Sequence, residues 1–218
     1  MNFEQARFNM IEQQLRPGKV LNPDVLDVLF VVKREEFVPP SHRRLAFADT
    51  QIPLGAGMEA RMFAPMVEAL ALQTLAMKTH ENVLEVGTGS GYMAALLGVH
   101  ADHVWSIEID PQLAEMAREN LRRAGVTNVS VEVGNGLAGL SVHAPYDAIM
   151  VSGAVTVVPQ VLLDQLKPGG RLFAIEGAAP AMQAALYTRV GNDFGRVAVF
   201  ETVVAPLRNA APETAFVF

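Results

Sequence analysis

The run Val83-Leu84-Glu85-Val86-Gly87-Thr88-Gly89-Ser90-Gly91 constrains this chain most. An apolar strand enters a turn with three glycines, and the apolar stretch Tyr92–Val99 continues it as a helix. Glycines at such a turn let a ligand approach bare backbone without interference from a Cβ. The amides at the start of the following helix point at the same place. A strand–turn–helix corner of this kind in an α/β protein receives an adenosine cofactor.

The rest of the chain supplies a fold around that corner. Strands are expected at Asn82–Val86, His103–Glu108, Val129–Val133, Ala148–Val151 and Arg171–Glu176, with helices at Tyr92–Val99, Pro111–Ala124 and Val158–Leu166 between them. Asp110-Pro111 reads as a helix start, and Lys167-Pro168-Gly169-Gly170 as the end of the third helix. Alternating strands and helices predict parallel pairing, with helices on both faces of a doubly wound α/β sheet. Ala185–Val190 and Arg196–Val204, joined through Gly191-Asn192-Asp193, read as an antiparallel hairpin closing the sheet edge. Before the corner, Phe3, Ala6, Met10, Ile11 and Leu15 recur at helical spacing, and Asn22-Pro23 opens a second helix. The Leu45–Met62 segment reads as a long loop with a covering or functional role, and a helix follows over Ala64–Met77. Residues 1–78 thus form a helical N-terminal extension and covering loop, and residues 79–218 the core, in one compact unit.

Half of the 218 residues are apolar and the formal net charge is −6. That supports a sizeable core and argues against nucleic acid held by phosphate neutralisation. Without cysteine, disulfides and thiolate chemistry are excluded. The five histidines, at positions 42, 80, 100, 103 and 143, show no metal-ligand spacing, so no metal is expected. The N-terminus lacks the charged start and apolar run of a signal peptide, and no apolar stretch is long enough to span a bilayer. A cytoplasmic location is the expectation.

Two adenosine cofactors compete for the corner. Gly89, Gly91 and Ala94 satisfy the permissive dinucleotide spacing, so spacing alone leaves a nicotinamide cofactor open. Glu85 argues the other way: a carboxylate at the strand end repels a pyrophosphate and favours a ligand with an ammonium group. S-adenosylmethionine (SAM) carries that ammonium and no phosphate. Glu108 ends the next strand, about twenty residues past the first glycine, where an acid accepts ribose hydroxyls. After the third strand, Asn135, followed by Gly136, offers an amide able to accept from an adenine amino group and donate to a ring nitrogen.

Phe37-Val38-Pro39, Ala48-Asp49, Ile52-Pro53-Leu54-Gly55, Val83–Gly91, Ala144-Pro145-Tyr146-Asp147 and Gln165–Gly170 stand in the order seen in protein-L-isoaspartate O-methyltransferases. The chain resembles that family over most of Phe3–Leu207. The resemblance implies a seven-stranded mixed sheet with an N-terminal extension over the cofactor. It implies SAM held by Glu85, the loop Gly87, Thr88, Gly89, Ser90 and Gly91, then Glu108 with Ile109, and Asn135 with Gly136. It also implies methylation of L-isoaspartyl carboxylates in damaged proteins. Asn135 stands where the family has Asp. The family's Gly-Gln-Thr-Ile-Ser-Gln-Pro becomes the two-residue-longer Gly57–Pro65 here, which puts Arg61 or Phe63, depending on the end counted from, at the position of the active-site serine. Ser152 stands for a usual Thr and keeps its hydroxyl. Arg61, Phe63 and Ser152 are therefore the candidate catalytic residues, with Asp49 a candidate to orient the same loop.

A carboxylate acceptor is already ionised at neutral pH, since an unperturbed Asp titrates near ~3.9. The chain then needs no general base, only alignment and exclusion of water. Three alternatives remain at this stage: a different protein or small-acid acceptor, a SAM-binding module without catalysis, and a nicotinamide-dependent oxidoreductase. The sequence does not give the oligomeric state; the apolar Phe216-Val217-Phe218 suits packing on the sheet or on another subunit.

Overall fold

A computed structural model describes residues 2–55 and 59–210. Gly57, from which one alignment of the covering segment is counted, and the terminal Phe216-Val217-Phe218 lie outside the described residues.

The N-terminal layer begins with α1 (Phe3–Met10), which passes into a wider π turn over Ile11–Leu15. In α2 (Pro23–Val31), Asn22 Oδ1 accepts the Asp24 N–H at 2.9 Å, as the Asn-Pro start predicts. The expected loop over Leu45–Met62 has structure of its own. Its β1 (Ile52–Pro53) pairs antiparallel with β2 (Arg61–Met62), and α3 (Pro65–Leu75) follows. Asp49 Oδ1 accepts the Met66 N–H at 3.0 Å, so a side chain from the covering segment caps the first turn of α3.

Beyond α3, the chain alternates β3 (Glu81–Val86), α4 (Tyr92–Gly98), β4 (Ala101–Glu108), α5 (Pro111–Arg123), β5 (Val129–Val133), β6 (Tyr146–Val155), α6 (Gln160–Asp164) and β7 (Leu166–Ala178). The hairpin β8 (Ala181–Val190) and β9 (Asp193–Glu201) ends it. The seven strands from β3 to β9 lie in the order β5-β4-β3-β6-β7-β8-β9. The first five pair in parallel, and β8 and β9 run antiparallel to their neighbours. The chain leaves β3 toward β4 and later returns to its other side at β6. The strand order therefore reverses there, and a crevice opens at the strand C-termini.

Alternating residues divide the core. Val83, Val104, Met150 and Phe173 face one side, where Met10, Leu29, Leu72, Leu96 and Leu121 of α1 to α5 pack in one continuous cluster. Leu84, Ile107, Ile149 and Leu172 face the other, covered by Leu162 and Leu163 of α6 and the partly buried Leu137 and Leu140. Among the described residues the two faces are covered unequally: the second carries one helix of five residues and two 3-10 turns.

Some expected boundaries move. Lys167-Pro168-Gly169-Gly170 does not close a helix: α6 ends at Asp164 and these residues lie within β7. Tyr146 pairs with Leu166 and Ala148 with Arg171, so the Pro-Gly-Gly stretch bulges out of register. The final hairpin turns tightly at Gly191-Asn192, because Val190 pairs directly with Asp193. Strand β6 runs on to Val155, which places Ser152 within a strand rather than after it.

Candidate active site

The crevice encloses about 1050 Å³ of free space, part of it open to solvent. Its floor is the end of β3. Glu85 is fully buried there and accepts two hydroxyl hydrogen bonds, from Ser106 Oγ at 2.6 Å and Ser152 Oγ at 2.8 Å. Thr88 Oγ1 meets Ser106 Oγ at 2.6 Å, extending the network into the glycine turn. Burial pushes the Glu85 carboxyl up to about 8; the two serine hydroxyls oppose that shift and the nearby Glu108 charge adds to it.

The glycine turn holds an unusual backbone. Gly87 has φ +91°, and a Cβ there would lie 2.7 Å from Leu207 Cδ2. Glu108 braces the same turn: its Oε2 accepts the Gly89 N–H at 2.8 Å and its Oε1 the Asp110 N–H at 3.0 Å. Asn135 Oδ1 accepts the Leu137 N–H at 3.2 Å. Its carbonyl therefore already caps a turn, while its amide nitrogen makes no hydrogen bond among the described contacts.

Twelve of the thirteen expected site residues line this one crevice: Arg61, Phe63, Glu85, Gly87, Thr88, Gly89, Ser90, Glu108, Ile109, Asn135, Gly136 and Ser152. Gly91 does not. It has φ +84° at the start of α4, and a Cβ there would stand 3.3 Å from Ala117 Cβ on α5. Its smallness makes room for α5.

On the N-terminal side, Arg61 of β2 is exposed at the rim, and Phe63 is buried in the wall. Behind Phe63 sits Arg34, fully buried. It donates to the Phe63 carbonyl at 2.6 Å, to the Ala46 carbonyl at 2.8 Å and to both oxygens of Glu68, at 2.9 and 3.3 Å. Glu68 and Tyr92 also line the crevice. Burial raises the Glu68 carboxyl above its ordinary range, and Arg34 opposes that shift. Tyr92 Oη is buried without a hydrogen-bond partner. On the opposite side, Leu207 and Arg208 complete the lining. Sequence reasoning passed over Arg34, Glu68, Tyr92, Leu207 and Arg208. A charged or polar residue inside an amphipathic helix or turn gives no sign of which way it will face.

The family model for protein-L-isoaspartate(D-aspartate) O-methyltransferase (PCMT) matches residues 5–203. The chain belongs to this family. A protein-L-isoaspartate O-methyltransferase of Methanoculleus marisnigri is 44% identical over 171 residues, 78% of this chain and 77% of that protein. One from Polaromonas is 37% identical over 211 residues, 96% of this chain and 86% of that protein. A crystal structure from Plasmodium falciparum, described as a β-aspartate methyltransferase in complex with S-adenosyl-L-homocysteine, has the same fold. Its TM-score is 0.80 at 19% identity, covering 95% of this chain and 99% of that one. As a PCMT-family member the chain is a methyltransferase that uses SAM. The nicotinamide alternative ends there.

The residues present suit that cofactor. The crevice has a glycine cradle, two carboxylates for cationic and hydroxyl groups, a free amide donor at Asn135, and an unsatisfied phenol at Tyr92. Gly87→Ala tests the cradle. The added methyl strains a positive φ and collides with Leu207, so SAM affinity is expected to fall at least tenfold, and stability by about 1–3 kcal/mol. Calorimetric titration and urea denaturation measure the two effects.

Proposed function

We propose that this PCMT-family chain methylates the free carboxylate of L-isoaspartyl residues in damaged proteins, in the reaction that gives its family its name. The observation that carries the proposal is the shape of the crevice. The buried glycine corner and the exposed rim at Arg61 belong to one continuous space, which a polypeptide carboxylate can enter from solvent. SAM supplies an electrophilic methyl on sulfur. Glu85, Glu108 and Asn135 would hold its polar groups, and Glu85 gains most from a cationic neighbour because burial disfavours its ionised form. Phe63, Leu54 and Met62 give the crevice an apolar wall that would exclude water from the transfer. Ser152 Oγ fixes the Glu85 carboxylate, and no general base is needed for an ionised acceptor. Ester formation then permits succinimide closure and return toward normal Asp.

Arg61 takes the acceptor's carboxylate or an adjacent peptide carbonyl as a charge-assisted donor. Arg61→Ala is expected to raise the KM for an isoaspartyl peptide about tenfold with a smaller change in kcat, the size of one hydrogen bond to a charged group. Unchanged KM and kcat would remove Arg61 from the site.

The test of the proposal is labelled methyl transfer to an isoaspartyl peptide, with its normal Asp twin as control. Incorporation into the first alone supports repair. A second reading keeps the cofactor and changes the acceptor to another carboxylate; Arg61 and Phe63, either of which falls at the family's serine position, favour it. SAM binding without incorporation into either peptide would select that reading or a SAM-binding module without catalysis.

A further inference from the structure

A second segment covers the strand ends. Residues 202–210 follow β9 and run parallel to the end of β6, with Pro206 beside Ala154. The Ala154 N–H donates to the Ala205 carbonyl at 3.0 Å, and the Leu207 N–H to the Ala154 carbonyl at 2.9 Å. Leu207 then lies over Gly87 and Gly153, where a Cβ would come within 2.7 and 2.6 Å of its Cδ2. Arg208 places Nη1 at 3.0 Å from Asp110 Oδ2; the backbone then turns, the Ala210 N–H donating to the Leu207 carbonyl at 3.2 Å, and Thr156 Oγ1 donates to the Ala210 carbonyl at 3.0 Å. Asp110 uses its other carboxylate oxygen to cap α5, accepting the Gln112 N–H at 2.8 Å. The strap thus passes above β6 and β3 and is fastened beside the end of β4.

One side chain joins this strap to the other cover. Gln51 Nε2 donates to the Val203 carbonyl at 2.9 Å, and its Oε1 accepts the Ala205 N–H at 3.2 Å. Its amide does for the strap what a neighbouring strand's backbone would do. Gln51 stands directly before β1, which pairs with the strand bearing Arg61.

We infer that Gln51 is a positioning residue that fastens the C-terminal strap to the Arg61 hairpin, so that the two close the cofactor crevice together, with the strap latched by Arg208 on Asp110. The latch is one-sided: the Arg208 side chain is 53% exposed and the Asp110 side chain 11%. The exposed guanidinium leaves the pair open to screening by salt, which makes it the salt-sensitive fastening of the strap. A cofactor in the crevice leaves when the strap lifts at Leu207 and Arg208, while Gln51 ties residues 203–205 to the hairpin, whose Ile52 and Met62 stay in the core.

The inference rests on the cofactor reading of the crevice and not on the identity of the acceptor. The test uses S-adenosylhomocysteine (SAH), whose charges sum to zero, so that salt acts on the latch. In stopped-flow experiments on the natural chain, SAH dissociation is expected to quicken with ionic strength. Arg208→Gln should raise the low-salt rate about fivefold, the scale of one exposed ion pair, and abolish the salt dependence. Gln51→Ala should raise the rate similarly. Hydrogen exchange reads the coupling. SAH should slow exchange at 203–207 in both the natural chain and Gln51→Ala, but at 51–54 and 60–62 only in the natural chain. Gln51→Glu, which keeps the acceptor and loses the donor, should fall between. A salt-independent natural rate, or equal hairpin protection in Gln51→Ala, overturns the inference. So does a lowered thermal midpoint with unchanged dissociation rates, which would leave Gln51 a structural contact. Failure of SAH to bind at all would overturn the cofactor reading as well, whereas binding with unaltered kinetics strikes the lid alone.

Discussion

Glu85→Gln will remove a pH dependence that sets stability against cofactor binding. The folded chain holds a proton on Glu85 up to about 8, while the unfolded carboxyl titrates near 4.5. Between those values the folded state binds more protons than the unfolded state, so this group makes stability fall as pH rises. Below 4.5 both states are protonated and the group is neutral to stability; above about 8 its full destabilising effect is present. The slope inside that window is at most about 1.4 kcal/mol per pH unit. Cofactor binding runs the other way. A ligand with ammonium and sulfonium charge favours the ionised carboxylate, so below pH 8 it must expel a proton, and affinity rises with pH by up to about tenfold per unit.

The isosteric amide keeps the shape and cannot ionise. Glu85→Gln is expected to flatten both slopes and to lower SAM affinity at pH 8 by about 10- to 100-fold, the loss of a charged hydrogen-bonding partner. Calorimetry in two buffers of different ionisation enthalpy counts the expelled proton directly. A pH-independent affinity in the natural chain, with no proton released, would show that Glu85 stays charged or faces no cation.

Arg34→Met is the substitution with the largest expected effect on stability. It removes a fully buried guanidinium and strands the Glu68 carboxylate with the Ala46 and Phe63 carbonyls. Truncating one partner of a buried pair costs about 3–5 kcal/mol, a large part of the ~5–15 kcal/mol that holds a domain folded. Without Arg34, desolvation drives Glu68 further toward its neutral form, which limits the loss. Adding Glu68→Leu removes the stranded acid and is expected to recover part of the stability in urea denaturation. A single-variant loss below about 1 kcal/mol would mean the site relaxes or admits water. Because Arg34 grips the Phe63 carbonyl, the folded fraction of Arg34→Met should also bind acceptor less well than it binds cofactor.

The corner from Val83 to Gly91 was legible because its chemistry is local. An apolar strand, glycines with positive φ and a helix start are set by neighbouring residues, and Glu85, Glu108 and Asn135 follow from successive strand ends. Asn22 and Asp110 announced their helices for the same reason. Misreadings arose where distant parts of the chain decide. Lys167–Gly170 looks like a helix stop, yet pairing with β6 draws it into β7. Phe63 and Arg61 could be named from the sequence, while the Arg34 and Glu68 that hold their segment could not.

The sequence by itself determined the sheet with its parallel core, the glycine corner and the polar groups at its first three strand ends, since strand period, turn chemistry and helix caps act over a few residues. Tertiary structure alone decided that Glu85 is sealed between Ser106 and Ser152, that Arg34 is buried behind Phe63, and that Gln51 meets a strap more than 150 residues away. Those contacts join segments whose separation along the chain carries no periodic signal. Their strength comes from the loss of solvent around the paired groups, which exists only once the layers have closed.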